Sequence, residues 1–408
     1  MLSSVGGGAK GGGGKSSPVW KALNINKPIF TKMKKSCLKI SGVLILLLCI
    51  FNQAQAQKKL LKKLFSGEKD NTRPSSFLPL PVVGYSQETG AEFGLATLYS
   101  FYSDRNDTLT RNSSITGIAT FTTKKQLNFQ VKTDIWSPQN RFHYLGEIRY
   151  RNFPFNFYGI GSQTREADKS RVTQKLFRLS AEAEKKMGKL TFTGINASFE
   201  NYQFTYKDNL ADVQNILFLR GKDGGRVLFA GISQIIDSRN SNTYSTKGTY
   251  IKLNYSYAPA FFGGDNFEGS LTKLDFRTFK SFTDQLVLGV NANYQSLNGT
   301  NTPFYLLPQL GNDNMMRGYY LGRFRDQNLM ALQAELRYRF NPRFGVVGFA
   351  GAGTVYNSGN LSFNNLKPSL GGGFRYFFDV ERGLSVRMDY GVGEKRQKGF
   401  YLSLGEAF

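Results

Sequence analysis

The sequence predicts an all-β chain folded as a 16-stranded antiparallel transmembrane β-barrel. Three observations carry this expectation. Sixteen segments, most of them about 10–14 residues long, alternate apolar and polar side chains, so that each offers one greasy and one wet face. The N-terminal part reads as an export signal. Aromatic residues are abundant, with 35 Phe and 21 Tyr, as girdles at two membrane interfaces require.

The alternation is clearest near the C-terminus. From Asn328 to Phe340 the even positions include Met330, Leu332, Ala334, Leu336, Tyr338 and Phe340, while the odd ones include Gln333, Glu335, Arg337 and Arg339. Leu286, Leu288, Val290, Ala292 and Tyr294 likewise oppose Gln285, Gly289, Asn291, Asn293 and Gln295. A soluble sandwich also alternates, but Arg337, Arg339, Arg375, Arg387 and Asp389 are costly in a sandwich core and tolerable in a wet lumen.

In chain order, residues 1–56 are expected to be an upstream extension and a cleaved signal peptide, with Met33 as the true start. Lys34 and Lys35 precede the apolar run Val43 to Phe51, and Ala54-Gln55-Ala56 supplies the small-x-small cleavage pattern. The run is too short to span as a helix, which needs about 20 apolar residues. Residues 57–76 place Leu60, Leu61, Leu64 and Phe65 among lysines, as an amphipathic linker or a solvated one does. The barrel is expected over 77–408, with strands at 77–86, 90–102, 111–123, 125–136, 141–151, 171–184, 189–205 and 226–237, then at 247–257, 265–279, 282–296, 328–340, 343–356, 367–378, 382–393 and 398–408. An even count leaves both termini on one side, expected to be periplasmic, with long loops at 152–170, 206–225, 297–327 and 357–366 outside.

Composition narrows the chemistry. Both cysteines, Cys37 and Cys49, fall in the discarded part, so no disulfide or thiol chemistry is expected of the mature chain. The single histidine, His143, has no second histidine to form a metal pair and reads as an interface or lumen residue. No cofactor is implied. Removing the lysine-rich first 56 residues lowers the net charge from +24 to about +16. With an export signal and this aromatic content, the basic excess points to anionic headgroups of outer-membrane lipids and an electropositive lumen rather than to nucleic acid.

One segment is more specific than the alternation. Gly311-Asn-Asp-Asn-Met-Met-Arg-Gly-Tyr-Tyr320, followed by Leu321-Gly-Arg-Phe-Arg-Asp-Gln-Asn328, lies between the eleventh and twelfth expected strands. It resembles the signature loop of the BamA/TamA superfamily of outer-membrane assembly and secretion barrels (bacterial surface antigen type), whose core is an Arg-Gly-aromatic tripeptide. Arg317, Gly318 and Tyr319 match that core. Phe157-Tyr-Gly-Ile-Gly161, Asp237-Ser-Arg239 with Lys247-Gly248, and the ending Gly399 to Phe408 are similar to further family elements. The resemblance implies a loop folded into the lumen. Two departures stand out. No substrate-collecting periplasmic POTRA domain fits before the strands. The family's Phe-x-Asp-x-Gly reads Phe349-Ala350-Gly351-Ala352-Gly353, without the acid that meets the loop arginine.

A buried guanidinium needs acceptors, and residue parity sends Asp389 into the lumen, so Asp389 is expected to replace the missing acid, with Glu335 as second candidate. In the closing strand, Phe400, Leu402, Leu404 and Phe408 are expected to face lipid, with Glu406 at the periplasmic rim. Gly391, Gly393, Gly399 and Gly405 weaken the last pairings or serve tight bends. Pro79 and Pro81 remove donors from the first strand. These features fit a seam between first and last strands that opens sideways to insert or translocate client outer-membrane or surface proteins, with separate periplasmic or membrane subunits as partners. The other reading is a passive pore for small, anionic solutes with the loop as constriction. An enzyme is not expected, since His143 has no nucleophile or acid partner recognisable in the sequence.

Overall fold

A computed structural model describes residues 73–86, 90–206, 218–357, 359 and 361–408. The expected signal segment and all but the last four residues of the 57–76 linker lie outside these residues. Sixteen antiparallel strands form one sheet in sequence order. The first eight are β1 Ser76–Ser86, β2 Gly90–Phe101, β3 Ser113–Thr122, β4 Leu127–Trp136, β5 Phe142–Phe157, β6 Ser170–Lys186, β7 Thr191–Tyr206 and β8 Gly224–Asp237. The rest are β9 Gly248–Ala258, β10 Glu268–Ser281, β11 Leu286–Thr300, β12 Asn328–Asn341, β13 Phe344–Tyr356, β14 Lys367–Asp379, β15 Leu384–Gly393 and β16 Lys398–Leu404. Among the described residues no helix is long and apolar enough to cross a membrane, and the crossing elements of this transmembrane barrel are its strands.

Alternation decides which way each side chain points. On β12, Leu332, Leu336, Tyr338 and Phe340 are exposed on the outer face, whereas Gln333, Glu335 and Arg337 are buried inside. β6, β7 and β8 depart from a wholly polar inner face. Val172, Leu176, Tyr202, Phe204, Val227 and Phe229 are apolar on the lumen side, and all six are buried. They are covered by the β11–β12 loop, whose Phe304 and Tyr305 pack against β5–β7 and whose Leu307 packs against β8 and β10.

The two ends of the sheet meet through side chains. Leu78 and Leu80 of β1 cluster with Phe378, Leu384, Val386 and Leu404 of the last three strands, and Arg382 donates to the Pro74 carbonyl. Among the described residues no hydrogen-bonded ladder joins β1 to β16. Pro79 and Pro81 lie two apart on β1, so both missing donors face the same side of the strand.

Several expectations change. β5 continues to Phe157, through Asn152 and Pro154, because it stays paired with β6 as far as Phe157 opposite Ser170. β16 stops at Leu404. Gly405 adopts φ +77° and donates its N–H to the Ser385 carbonyl at 2.7 Å, which turns the last three residues into the lumen. Phe408 therefore does not face lipid. It is buried against Phe279, with a ring separation of 5.9 Å, and lies under the Arg337 guanidinium. Glu406 is not at an open rim either, since Arg375 and Ser385 hold it at 2.8 and 2.9 Å. Leu404 is part of the apolar cluster that meets β1.

The rim at which β1 begins is closed by a further loop, 238–247. Asp237 accepts a paired contact from Arg239 at 2.9 and 2.8 Å and another from Arg111. Asn242 then reaches the Asn112 carbonyl at 2.9 Å, Thr243 donates to the Arg382 carbonyl, and Tyr244 stands edge-on to Phe377. The loop thus crosses from β8–β9 to the connections after β2 and after β14. Gly248 (φ +101°) permits this, because a Cβ there runs into the Ser238 backbone. Asp237→Asn is expected to cost about 1–3 kcal/mol, the range for a buried group that loses a partner. A lowered midpoint of denaturant unfolding measures it.

His143 lies on the lumen side, stacked on Trp136 at 3.7 Å. Its ring nitrogens contact Asp134 at 2.9 Å and Glu184 at 2.6 Å, which leaves neither free for a metal ion. A cavity of ≈ 620 Å³ borders this group, and its lining includes Asp134, Glu182, Glu200, Lys252 and Asp275.

Candidate functional site

The β11–β12 loop, residues 301–327, folds inward because its own sequence is apolar at the right places. Gln309-Leu310 pairs with Phe324-Arg325 as a two-residue hairpin. Between the arms, Asn312 caps a tight turn by accepting from the N–H groups of Asn314 and Met315, each at 2.7 Å. Leu310, Met316, Tyr319 and Phe324 then bury against Leu329 and Ala331 of β12 and Val355 of β13. Each such side chain contributes roughly 1.5–3 kcal/mol relative to water.

This seat presents Arg317, fully buried, to the inner wall. Its Nη1 donates to Asp389 Oδ2 of β15 at 2.6 Å, its Nη2 donates to Glu335 of β12, and its Cζ lies 3.5 Å from the Phe349 ring centroid. Phe349 is the aromatic of the family-like Phe-Ala-Gly segment, so the arginine stacks on it while two acids from other strands accept its hydrogen bonds. Ser369 donates to the Arg317 carbonyl from β14. Neither acid belongs to Arg317 alone. Asp389 also accepts from Arg375 at 2.5 Å and from Arg387 at 3.1 Å. Glu335 accepts from Arg337 at 2.9 Å, and Arg337 in turn donates to the Phe408 carbonyl at 2.9 Å. Arg387 reaches back to Asp313 in the loop at 2.9 Å. Four arginines (317, 337, 375, 387) thus interleave with four acids (313, 335, 389, 406), and the charges offset one another.

Gly318 and Tyr319 fix how the loop lies on β15. Gly318 has φ +109° and donates its N–H to the Tyr401 hydroxyl of β16 at 2.9 Å. A Cβ on Gly391 meets the Arg317 carbonyl carbon at 2.6 Å, and one on Gly393 meets the Tyr319 ring at 2.5–2.9 Å. Both glycines therefore make room for the loop, a role distinct from the weak pairing or tight bend expected of them. Gly399 similarly makes room for the Tyr401 ring. The Tyr319 hydroxyl donates to the Pro368 carbonyl at 2.6 Å and accepts from the Glu394 N–H at 2.9 Å. Burial pushes this hydroxyl up to about 12, so it remains a neutral donor.

The Phe157–Gly161 segment meets the loop from the opposite side. Gly161 donates to the Arg325 carbonyl at 2.8 Å, and Arg323 reaches Thr164 Oγ1 and O at 2.6 and 2.7 Å. Pro79 and Pro81 stand outside this assembly, on the outer face of β1. Sequence reasoning missed Asp313, Ser369, Tyr401 and Glu406 as parts of the site. It also left Arg375 and Arg387 as lumen residues without partners. Parity offered a signal for the two arginines and for Tyr401, and Asp313 lies within the signature-like loop, but nothing marked Ser369 or Glu406.

The model of the Omp85 superfamily domain matches residues 89–408. No curated protein sequence matches. Among solved structures, CdiB from Escherichia coli is similar at 11% identity with TM-score 0.52, over 81% of this chain and 62% of that one. CdiB from Acinetobacter baumannii is similar at 11% identity with TM-score 0.50, over 81% and 59%. BamA from Haemophilus ducreyi lacking POTRA domains 1–3 aligns at 12% identity with TM-score 0.49, over 83% and 70%. The chain thus spans about three fifths of the two CdiB chains, and the likeness to them is one of fold. With the family model matched across nearly all of the sixteen strands, the chain belongs to the Omp85 superfamily of outer-membrane insertion and secretion barrels.

Proposed function

We propose that this barrel aids insertion or translocation of outer-membrane or surface proteins through a lateral seam between β1 and β16. The observation that carries the reading is the contrast between seam and lumen. The sheet ends touch through Leu78, Leu80, Leu384 and Leu404 with no ladder among the described residues, whereas the 301–327 loop packs inside the lumen and the 238–247 loop crosses its rim. An edge without its ladder leaves backbone groups to pair with an incoming strand, and Pro79 and Pro81 keep two donors out of any competing β1–β16 pairing. In this reading Arg317 and its acids add to the apolar burial that holds the plug while the seam moves. Both termini lie on the periplasmic side, where client chains and separate periplasmic or membrane subunits are met. A passive anion pore is the second reading. The basic excess of the chain speaks for it, and the loop folded into the lumen speaks against it.

Cysteines at Leu80 and Leu404, in a Cys37→Ser and Cys49→Ser background, test the seam directly. Joining them with a short bis-maleimide is expected to abolish complementation of a depletion strain, while either single cysteine treated alike remains functional. Full function of the cross-linked barrel contradicts lateral opening.

A further inference from the structure

At the rim where β1 begins, the β4–β5 and β6–β7 connections lie side by side. Phe142 and Lys185 are register partners, both exposed on the outer face. The Lys186 N–H donates to the Arg141 carbonyl at 2.9 Å, which brings the two turns together. Arg141, Lys185 and Lys186, with Phe142, Met187 and Gly188, enclose a shallow pocket of ≈ 370 Å³. No acid lines it. The Arg141 guanidinium rests on the neutral Gln139 side chain, and neither lysine makes an ion pair among the described residues. The acids of the flanking strands, Asp134 and Glu184, point the other way, into the lumen, toward His143.

The surroundings say what sits there. The Phe142 and Tyr144 rings stack at 6.1 Å on the outer face, where an aromatic girdle marks the membrane interface. Beyond them toward the barrel's waist the outer face continues as Ile195, Leu179 and Ile148, each strongly exposed. Three cations without acids thus stand at headgroup depth above an apolar strip.

We propose that this pocket binds the phosphate of an anionic glycerophospholipid, whose acyl chains lie along Ile195, Leu179 and Ile148. Charge complementarity selects the headgroup and the apolar strip selects a lipid over a free anion. The test is native mass spectrometry of the full chain in detergent, titrated with dioleoyl phosphatidylglycerol or dioleoyl phosphatidylcholine. The expected result is a preference of roughly tenfold or more for the glycerol lipid. It falls to about none in Arg141→Gln/Lys185→Gln/Lys186→Gln and survives in the opposite-rim control Lys125→Gln/Lys398→Gln. If the triple variant does not fold, Lys185→Glu alone, on an exposed side chain, gives the same readout. An unchanged preference in the folded variant overturns the proposal. Displacement of the lipid by inorganic phosphate also overturns it, because the site is then one for the free anion.

Discussion

Asp389→Ala is expected to destabilise the barrel more than Arg317→Ala does, although the two groups are partners. Asp389 is the shared acceptor of Arg317, Arg375 and Arg387, so its loss leaves three buried guanidinium groups with one acid each. Breaking a buried pair by removing one partner costs about 3–5 kcal/mol, and this change falls at the upper end. Arg317→Ala is milder, because Asp389 keeps Arg375 and Arg387 while Glu335 keeps Arg337. The burial of Leu310, Met316, Tyr319 and Phe324 still outweighs that loss, at roughly 1.5–3 kcal/mol for each side chain. The loop should therefore stay in the lumen of Arg317→Ala, with its 311–320 segment still slow to be cut by added protease. Denaturant midpoints of the two variants, read beside those protease rates, give the order. A barrel indifferent to Asp389→Ala refutes the shared-acceptor account. The same geometry predicts that the charge swap Arg317→Asp with Asp389→Arg fails to restore stability, since the new arginine faces Arg375 and Arg387.

Gly391→Ala is the second large effect expected. Its new Cβ meets only backbone, the Arg317 carbonyl and the Gly318 nitrogen at 2.6–2.8 Å, and backbone cannot step aside as a long side chain can. Either β15 or the loop must shift. Overpacking of this kind costs about 1–3 kcal/mol, and here it also lengthens the Arg317–Asp389 contact. Gly348→Ala is the control, because a Cβ there meets nothing within 4 Å. Faster proteolysis of the 311–320 segment in Gly391→Ala, at an unchanged rate in Gly348→Ala, is the expected pattern. Equal rates in both remove the close-packing explanation.

The strand order was legible because lipid imposes a rule on every second residue. Leu332, Leu336 and Tyr338 satisfy it, and their neighbours are then assigned to the lumen without further information. The same rule gives direction but not partners. It sends Glu335, Arg337, Arg375, Arg387 and Asp389 inward, yet whether Arg375 meets Asp389 depends on the β14–β15 register, which aligns Gly373 with Asp389. The inward tail was illegible for a different reason. Parity extrapolated from Phe400 and Leu402 carries Phe408 to the lipid side, and one left-handed glycine, Gly405, is enough to end that series. A signal for the plug did exist. Val172, Leu176, Tyr202, Phe204, Val227 and Phe229 are apolar where a wet lumen asks for polar residues, and an apolar inner wall implies something packed against it. Read that way, the two loop aromatics Phe304 and Tyr305 were the natural occupants.

The most direct test of the central claim is depletion of this protein in its host, followed by quantitative proteomics of the outer-membrane fraction. Loss of other outer-membrane or surface proteins is expected, broad for a general factor and confined to one or a few for a dedicated route. An unchanged outer-membrane proteome, together with a steady anion conductance of the purified barrel, contradicts it and leaves the pore.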